Sequence, residues 1–182
     1  MTDADPFEAF VIRHQRMVYA TAVRLLGNAA EAEDVSQTVF LKAFERFADL
    51  ASSGTAAAWL QTVTRNACLN HLTRYRARWQ FFSEIEEQAG GSFEAVERIA
   101  GLTTPPSEPE DAGLHRRLEQ ALRGLPDHQR VPLVLYHFED QSYQAIAHTL
   151  GVSLGKVKTD IHRGREALRR HLAVFTGRKP GP

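Results

Sequence analysis

The sequence is poor in several features that would narrow its class. It has one cysteine, Cys68, in 182 residues, which excludes an intramolecular disulfide framework and fits a reducing cytosol. No apolar run approaches the roughly 18 residues needed to span a bilayer. The first ten residues, Met1 to Phe10, are acidic and lack the basic and apolar regions of a secretory signal. No apolar–polar alternation of period two is followed by a hairpin turn. There is also no net charge, since 22 Lys and Arg balance 22 Asp and Glu. What remains is ordinary for a globular chain, with 43% hydrophobic and 24% charged residues. At roughly 150 residues per domain, the length admits one domain or two small ones.

The zero net charge conceals three blocks. Residues 1–78 carry 9 basic and 8 acidic side chains, residues 79–112 carry 1 and 8, and residues 113–182 carry 12 and 6. Within the first block, residues 61–78 hold Arg65, Arg74, Arg76 and Arg78 and no acid. Two basic stretches separated by an acidic one suggest two nucleic-acid contacts joined by a segment that avoids DNA, although a solvated charged surface would read the same way. The middle block also contains Gly90-Gly91-Ser92 and the run Thr103-Thr104-Pro105-Pro106-Ser107. It therefore reads as a flexible acidic linker, with domains over 1–78 and 113–182 on either side.

Helical periodicity pervades both domains, so the fold class is all-α. Phe7, Phe10, His14, Val18, Ala22 and Leu25 mark a first helix ending at Gly27. Asn28 suits the N-cap of a second helix, which carries Val35, Val39, Phe40, Ala43, Phe44 and Phe47. A loop is expected at Asp49–Thr55, then a third helix from about Ala56 to Arg78. In the last block a helix near Asp111–Arg123 stops at Gly124, and Pro126 suits the first turn of the next. Pro132 should kink that helix. Ser142 caps a short helix to Leu150, Gly151 turns the chain, and Ser153 caps a final helix to about Ala173.

The stretch Ser142–Arg170 has the form of a helix-turn-helix. Val157, Ile161, Leu168 and Leu172 make one apolar stripe, and Lys156, Lys158, Thr159, His162, Arg163, Arg165, Arg169 and Arg170 occupy the remainder. A helix that buries its apolar side and turns a basic, hydrogen-bonding side outward meets the requirements of major-groove reading. A helical hairpin with a cationic solvent face is the alternative, but turn, cap and charge agree on DNA. Gly164, inside the helix, costs about 1 kcal/mol against alanine, and close packing beside Ile161 and Leu168 would explain it. On the third helix Asn66, Asn70 and Arg74 form one polar stripe, continued by Tyr75, Arg76, Arg78 and Trp79. Interleaved cations and rings suit an unstacked strand, with asparagine amides reading exposed base edges. Tyr75 and Trp79 could equally be core, and Trp59 reads as core. Cys68 and His71 have one-turn spacing, but no further ligand completes a metal set.

Taken together, these features resemble the bacterial RNA polymerase sigma factors of the extracytoplasmic-function (ECF) type. The resemblance rests on Gly27 through Leu41, Trp59 through Asn66, Leu125-Pro126 with Arg130, Ser142 through Ala147, Val157-Lys158 and Arg163-Gly164-Arg165. It implies a sigma region 2-like bundle and a sigma region 4-like helix-turn-helix domain. It further implies that Asp34, Gln37, Phe40 and Leu41 dock on polymerase. Asn66, Asn70, Arg74, Tyr75 and Arg76 would bind the melted −10 strand, with the loop Asp49–Thr55 capturing a flipped base. Lys156, Lys158, Thr159, His162, Arg163 and Arg165 would bind the −35 duplex, and the linker would thread toward the polymerase active-site cleft. The implied partners are core RNA polymerase, promoter DNA and an anti-sigma factor, in the cytoplasm, with no catalytic residue, metal or cofactor. Lys156, Gly164 and Pro132 depart from the family pattern. A stand-alone helix-turn-helix regulator is the alternative, although no ligand domain or dimerisation helix is evident. An enzyme is disfavoured because the eight histidines are scattered.

Overall fold

The computed structural model describes residues 5–73 and 110–176. Among them are eight α-helices and no strand, in agreement with an all-α class. They fall into two compact units, Met1–Arg76 and Ala77–Pro182.

The first unit is a bundle of α1 (Pro6–Leu26), α2 (Ala29–Glu45), α3 (Phe47–Ala51) and α4 (Ala56–Thr73). The sequence supplies the boundaries. The Asp5 carboxylate accepts from the Phe7 N–H at 3.0 Å and caps α1. Gly27, at φ 70, closes α1 in the left-handed conformation that glycine adopts without strain. Asn28 Oδ1 then accepts from the Ala30 and Glu31 N–H groups at 2.9 and 3.3 Å and opens α2. Val18, Ala22 and Leu25 of α1, Ala32, Val39 and Ala43 of α2, and Leu60 and Cys68 of α4 are completely buried. The expected loop at Asp49–Thr55 is shorter than its composition suggests, because α3 claims Asp49 to Ala51. Leu50, within that turn of helix, is buried. In the remaining loop the Ser53 and Thr55 hydroxyls lie 2.6 Å apart and Ser53 Oγ accepts from the Thr55 N–H at 3.1 Å. The third helix expected to reach Arg78 is described to Thr73.

The second unit contains α5 (Glu110–Gly124), α6 (Asp127–His137), α7 (Tyr143–Leu150) and α8 (Leu154–Thr176). Helix α5 starts inside the segment read as linker. The rest of 79–109 lies outside the described residues. Pro126 stands one position earlier than expected, at the N-cap of α6 with ψ 150, because its fixed φ suits the approach as well as the first turn. Pro132 lies inside α6, which continues to His137. Arg130 is 3% exposed. Its Nη1 donates to the Leu125 carbonyl at 2.7 Å and its Nη2 to the Asp127 carboxylate, tying the α5–α6 turn to α6.

Helices α7 and α8 pack on one another and on α6. Ser142 Oγ accepts from the Ala145 N–H at 3.2 Å and caps α7. Gly151, at φ 67, ends it, and the Val152 N–H reaches back to the Ala147 carbonyl at 3.1 Å. Gly164 serves close packing, as its position beside Ile161 and Leu168 suggested, and the surface it meets is α6. A Cβ there would stand 2.9 Å from Leu133 Cδ1 and 3.3 Å from the Gln129 carbonyl oxygen. Both neighbours belong to α6, so the missing side chain is what lets α8 lie close against α6.

Candidate nucleic-acid faces and an apolar groove

Helix α8 separates its residues by azimuth. With about 100° between successive residues, Val157, Ile161, Gly164 and Leu168 share one side. Of these, Val157, Ile161 and Gly164 are buried and Leu168 is half-buried. Lys158, Thr159, His162 and Arg163 lie on the exposed side. The start of the helix is fixed by Ser153, whose Oγ accepts from the Lys156 N–H at 3.2 Å. Lys158 and Thr159 therefore stand in the second turn, near the N-terminal end that a groove-reading helix turns to the bases. Thr159 donates its hydroxyl to the Gly155 carbonyl at 3.1 Å, which leaves its methyl and its oxygen lone pairs for a partner.

Two of the six residues assigned to this face are engaged by side chains of their own unit. Lys156 Nζ lies 3.2 Å from Asp160 Oδ2, and Asp160 is only 3% exposed. A buried carboxylate demands a cation, so Lys156 neutralises Asp160. Arg165 Nε donates to His137 Nε2 at 3.1 Å, and its guanidinium lies 5.4 Å from the centre of the Tyr136 ring. His137 is held below its ordinary pKa, first by partial burial and then by the Arg165 charge, which keeps its ring neutral and able to accept. The periodicity of α8 alone could not find these two attachments, because both depend on which residues face it.

In the first unit Asn66 and Asn70 of α4 are exposed on one stripe with Thr62 and Thr73, opposite the buried Leu60, Thr64 and Cys68. Arg74, Tyr75 and Arg76 lie outside the described residues, as does Trp79. Trp59, expected in the core, is half-buried, with the Arg46 guanidinium 5.9 Å from its ring centre. It stands at the start of α4, beside the α2–α3 junction that Arg46 occupies. Cys68 is completely buried, and His71 Nε2 lies 3.3 Å from Glu31 Oε2. Among the described residues no group of three or more His, Cys, Asp or Glu could hold a metal ion, and no helix is long and apolar enough to cross a membrane.

Gln37, Phe40 and Leu41 line an open groove of about 1000 Å³ between α1 and α2. Phe44, Glu33 and Ser36 complete the α2 wall, and Phe7, Val11, Gln15, Arg16 and Tyr19 form the α1 wall. Leu41 is 68% exposed and Phe44 61%. Asp34 is exposed on α2 but does not line the groove. At one end the Phe7 ring meets Phe44 and Phe47 edge-on, at centroid distances of 4.9 and 5.2 Å. The α1 wall and Phe44 were missed as site residues. The signal for Phe44 was a second stripe on α2, residues 37, 40, 41 and 44, beside the core stripe 32, 35, 39 and 43. A helix with two such stripes faces two neighbours.

Comparison with known proteins agrees with this division. Residues 10–78 match sigma-70 region 2, and residues 115–168 match sigma-70 region 4. The chain is 31% identical over 172 residues to the RNA polymerase sigma factor CarQ of Myxococcus xanthus, covering 92% of this chain and 90% of that one. It is 29% identical over 174 residues to the ECF RNA polymerase sigma factor SigW of Bacillus subtilis, covering 93% and 90%. It is 35% identical over 168 residues to the ECF RNA polymerase sigma factor SigE of Mycolicibacterium smegmatis, and there it spans 62% of the relative's length. With region 2 and region 4 in order and relatives matched over most of the chain, the protein belongs to the RNA polymerase sigma factors of the ECF type, a promoter-recognition family rather than a class of stand-alone regulators.

Proposed function

We propose that this chain docks on core RNA polymerase through the α1–α2 groove and reads a promoter with its two polar faces, acting by binding and leaving catalysis to the polymerase. The observation that carries the reading is the pairing of two unlike faces on separate units. An apolar groove with exposed Leu41 and Phe44 fits a protein partner, and the exposed Lys158, Thr159, His162 and Arg163 fit duplex DNA.

The division of labour follows from chemistry. Gln37, Phe40 and Leu41 seat a polymerase helix, and Asp34 at the exposed margin of α2 offers it a charged contact. Asn66 and Asn70 read bases of the melted −10 strand, because an amide carries both a donor and an acceptor. Arg74, Tyr75 and Arg76 continue that contact, and the loop after α3 takes a flipped base. Lys158, Thr159, His162 and Arg163 enter the major groove of the −35 element. Residues 1–78 and 113–182 act as the two promoter-binding domains, with 79–112 as the acidic strap between them. The setting is the cytoplasm, and an anti-sigma factor is the expected regulator, as the family resemblance implies.

The test mixes purified chain with bacterial core polymerase and asks for co-elution and promoter-dependent transcription. Both are expected. Tight operator binding without polymerase would favour a stand-alone regulator. Turnover of a substrate without polymerase would favour an enzyme. Asn70→Ala should preserve polymerase binding and impair open-complex formation, whereas Asp34→Ala should weaken polymerase association first. Loss of core binding in Asn70→Ala would overturn the assignment of the α4 face.

A further inference from the structure

Arg165 carries a charge suited to DNA, yet its guanidinium is engaged on another helix. Its Nε donates to His137 Nε2 at 3.1 Å, and it lies over the Tyr136 ring at 5.4 Å. The Tyr136 ring in turn lies 4.7 Å from the Tyr143 ring, at the first position of α7. One arginine on α8 thus grips the end of α6, which itself leans on the start of α7. Both of these elements pack against α8. Arg165 also sits about two turns beyond Lys158, close to the same azimuth, at the border between the buried and exposed sides of α8. Its natural alternative is a phosphate contact.

We propose that Arg165 is a positioning residue: held by the neutral His137 ring and Tyr136, it latches the recognition helix to the α6–α7 corner, and promoter selectivity depends on this latch rather than on a direct DNA contact by Arg165. The proposal rests on the reading of α8 as the duplex-binding helix. Its hydrogen bond needs His137 unprotonated at Nε2, since an imidazolium has no acceptor and repels the guanidinium. The groups around His137 are Arg165 from α8, Tyr136 from α6, and Tyr143 from α7 behind Tyr136. Arg165 is the charged one of these and holds the His137 pKa down, after the larger effect of partial burial. The latch is therefore closed above the ordinary histidine pKa of 6.5. It opens as the pH falls through the lower folded-state value.

The test has two arms. The first is an NMR titration of the His137 imidazole in the full chain without DNA. Arg165→Ala should move its pKa upward, because a neighbouring positive charge has gone; an unchanged titration would show that the latch does not form. The second uses holoenzyme on a duplex selected from a random library and on a scrambled duplex. Arg165→Ala and His137→Ala should each reduce discrimination by about ten-fold, the worth of one charged hydrogen bond. Their double mutant should lose no more than either alone. His137→Gln, which keeps an acceptor and does not titrate, should retain much of the selectivity. Selectivity of the parent should fall as the pH drops through the lowered His137 pKa, while that of His137→Gln stays flat. A phosphate contact predicts the opposite: Arg165→Ala lowers the salt slope by about 0.9, and His137→Ala changes nothing. That result would overturn the proposal. A holoenzyme that binds neither duplex would instead sink the promoter reading, with the titration still deciding the latch.

Discussion

Leu41 and Phe44 stand 68% and 61% exposed beside the groove of the first unit, whereas the outward side of α8 in the second unit presents Lys158, Thr159, His162 and Arg163. Both units are small helical bundles, and each leaves part of one helix facing solvent. The first leaves apolar surface in water, which weakens the isolated protein's solubility but gives a protein partner area to bury. The second leaves cations in water, where they are well hydrated until phosphates displace their counterions. Two interfaces on one chain are thus separable by ionic strength. Raising salt should weaken duplex binding steeply and groove-mediated association little. Equal salt slopes for polymerase association and DNA binding would erase the distinction.

The largest expected effect is on stability. Arg130→Ala removes a buried cation bonded to the Leu125 carbonyl and to Asp127, and should cost the second unit about 3 kcal/mol in urea unfolding. The first unit should unfold unchanged, since the two are separate compact bodies; a parallel loss in both would show that they fold as one. Next, Leu41→Asp should weaken polymerase association by about 2 kcal/mol. Because Leu41 is exposed, the stability of the first unit should shift within about 0.5 kcal/mol. If association is untouched, the groove is not the docking site. Arg163→Ala should reduce selective duplex binding by about 1.5 kcal/mol, and an equal loss on scrambled DNA would make it a phosphate contact. The smallest effect is Asn28→Ala, which strips the α2 cap and should destabilise the first unit by about 1 kcal/mol, lowering its urea midpoint while leaving duplex binding intact.

Much of this was legible in the chain. Caps at Asn28, Ser142 and Ser153, and left-handed glycines at 27 and 151, place the helix ends because those signals act within a few residues. The exposed side of α8 followed from spacing, and Lys158, Thr159, His162 and Arg163 lie on it. Lys156 and Arg165 do not belong to that free surface. Lys156 answers a buried carboxylate and Arg165 a ring on α6, and neither demand is visible in a charge pattern. Trp59 shows the same limit, since an aromatic on an amphipathic helix fits a core or a half-covered edge equally well.

The sequence by itself determined the helices, their ends, the helix-turn-helix and the polar stripes, because periodicity and capping are local and each residue type has one dominant local preference. Tertiary structure alone decided that Gly164 clears space for Leu133 and Gln129, that α1 supplies half of the groove, and that two of the six residues assigned to the duplex face are engaged by side chains of their own unit. Those outcomes depend on which surfaces meet across dozens of residues, and the steric and electrostatic demands of a neighbour are not written in the segment that satisfies them.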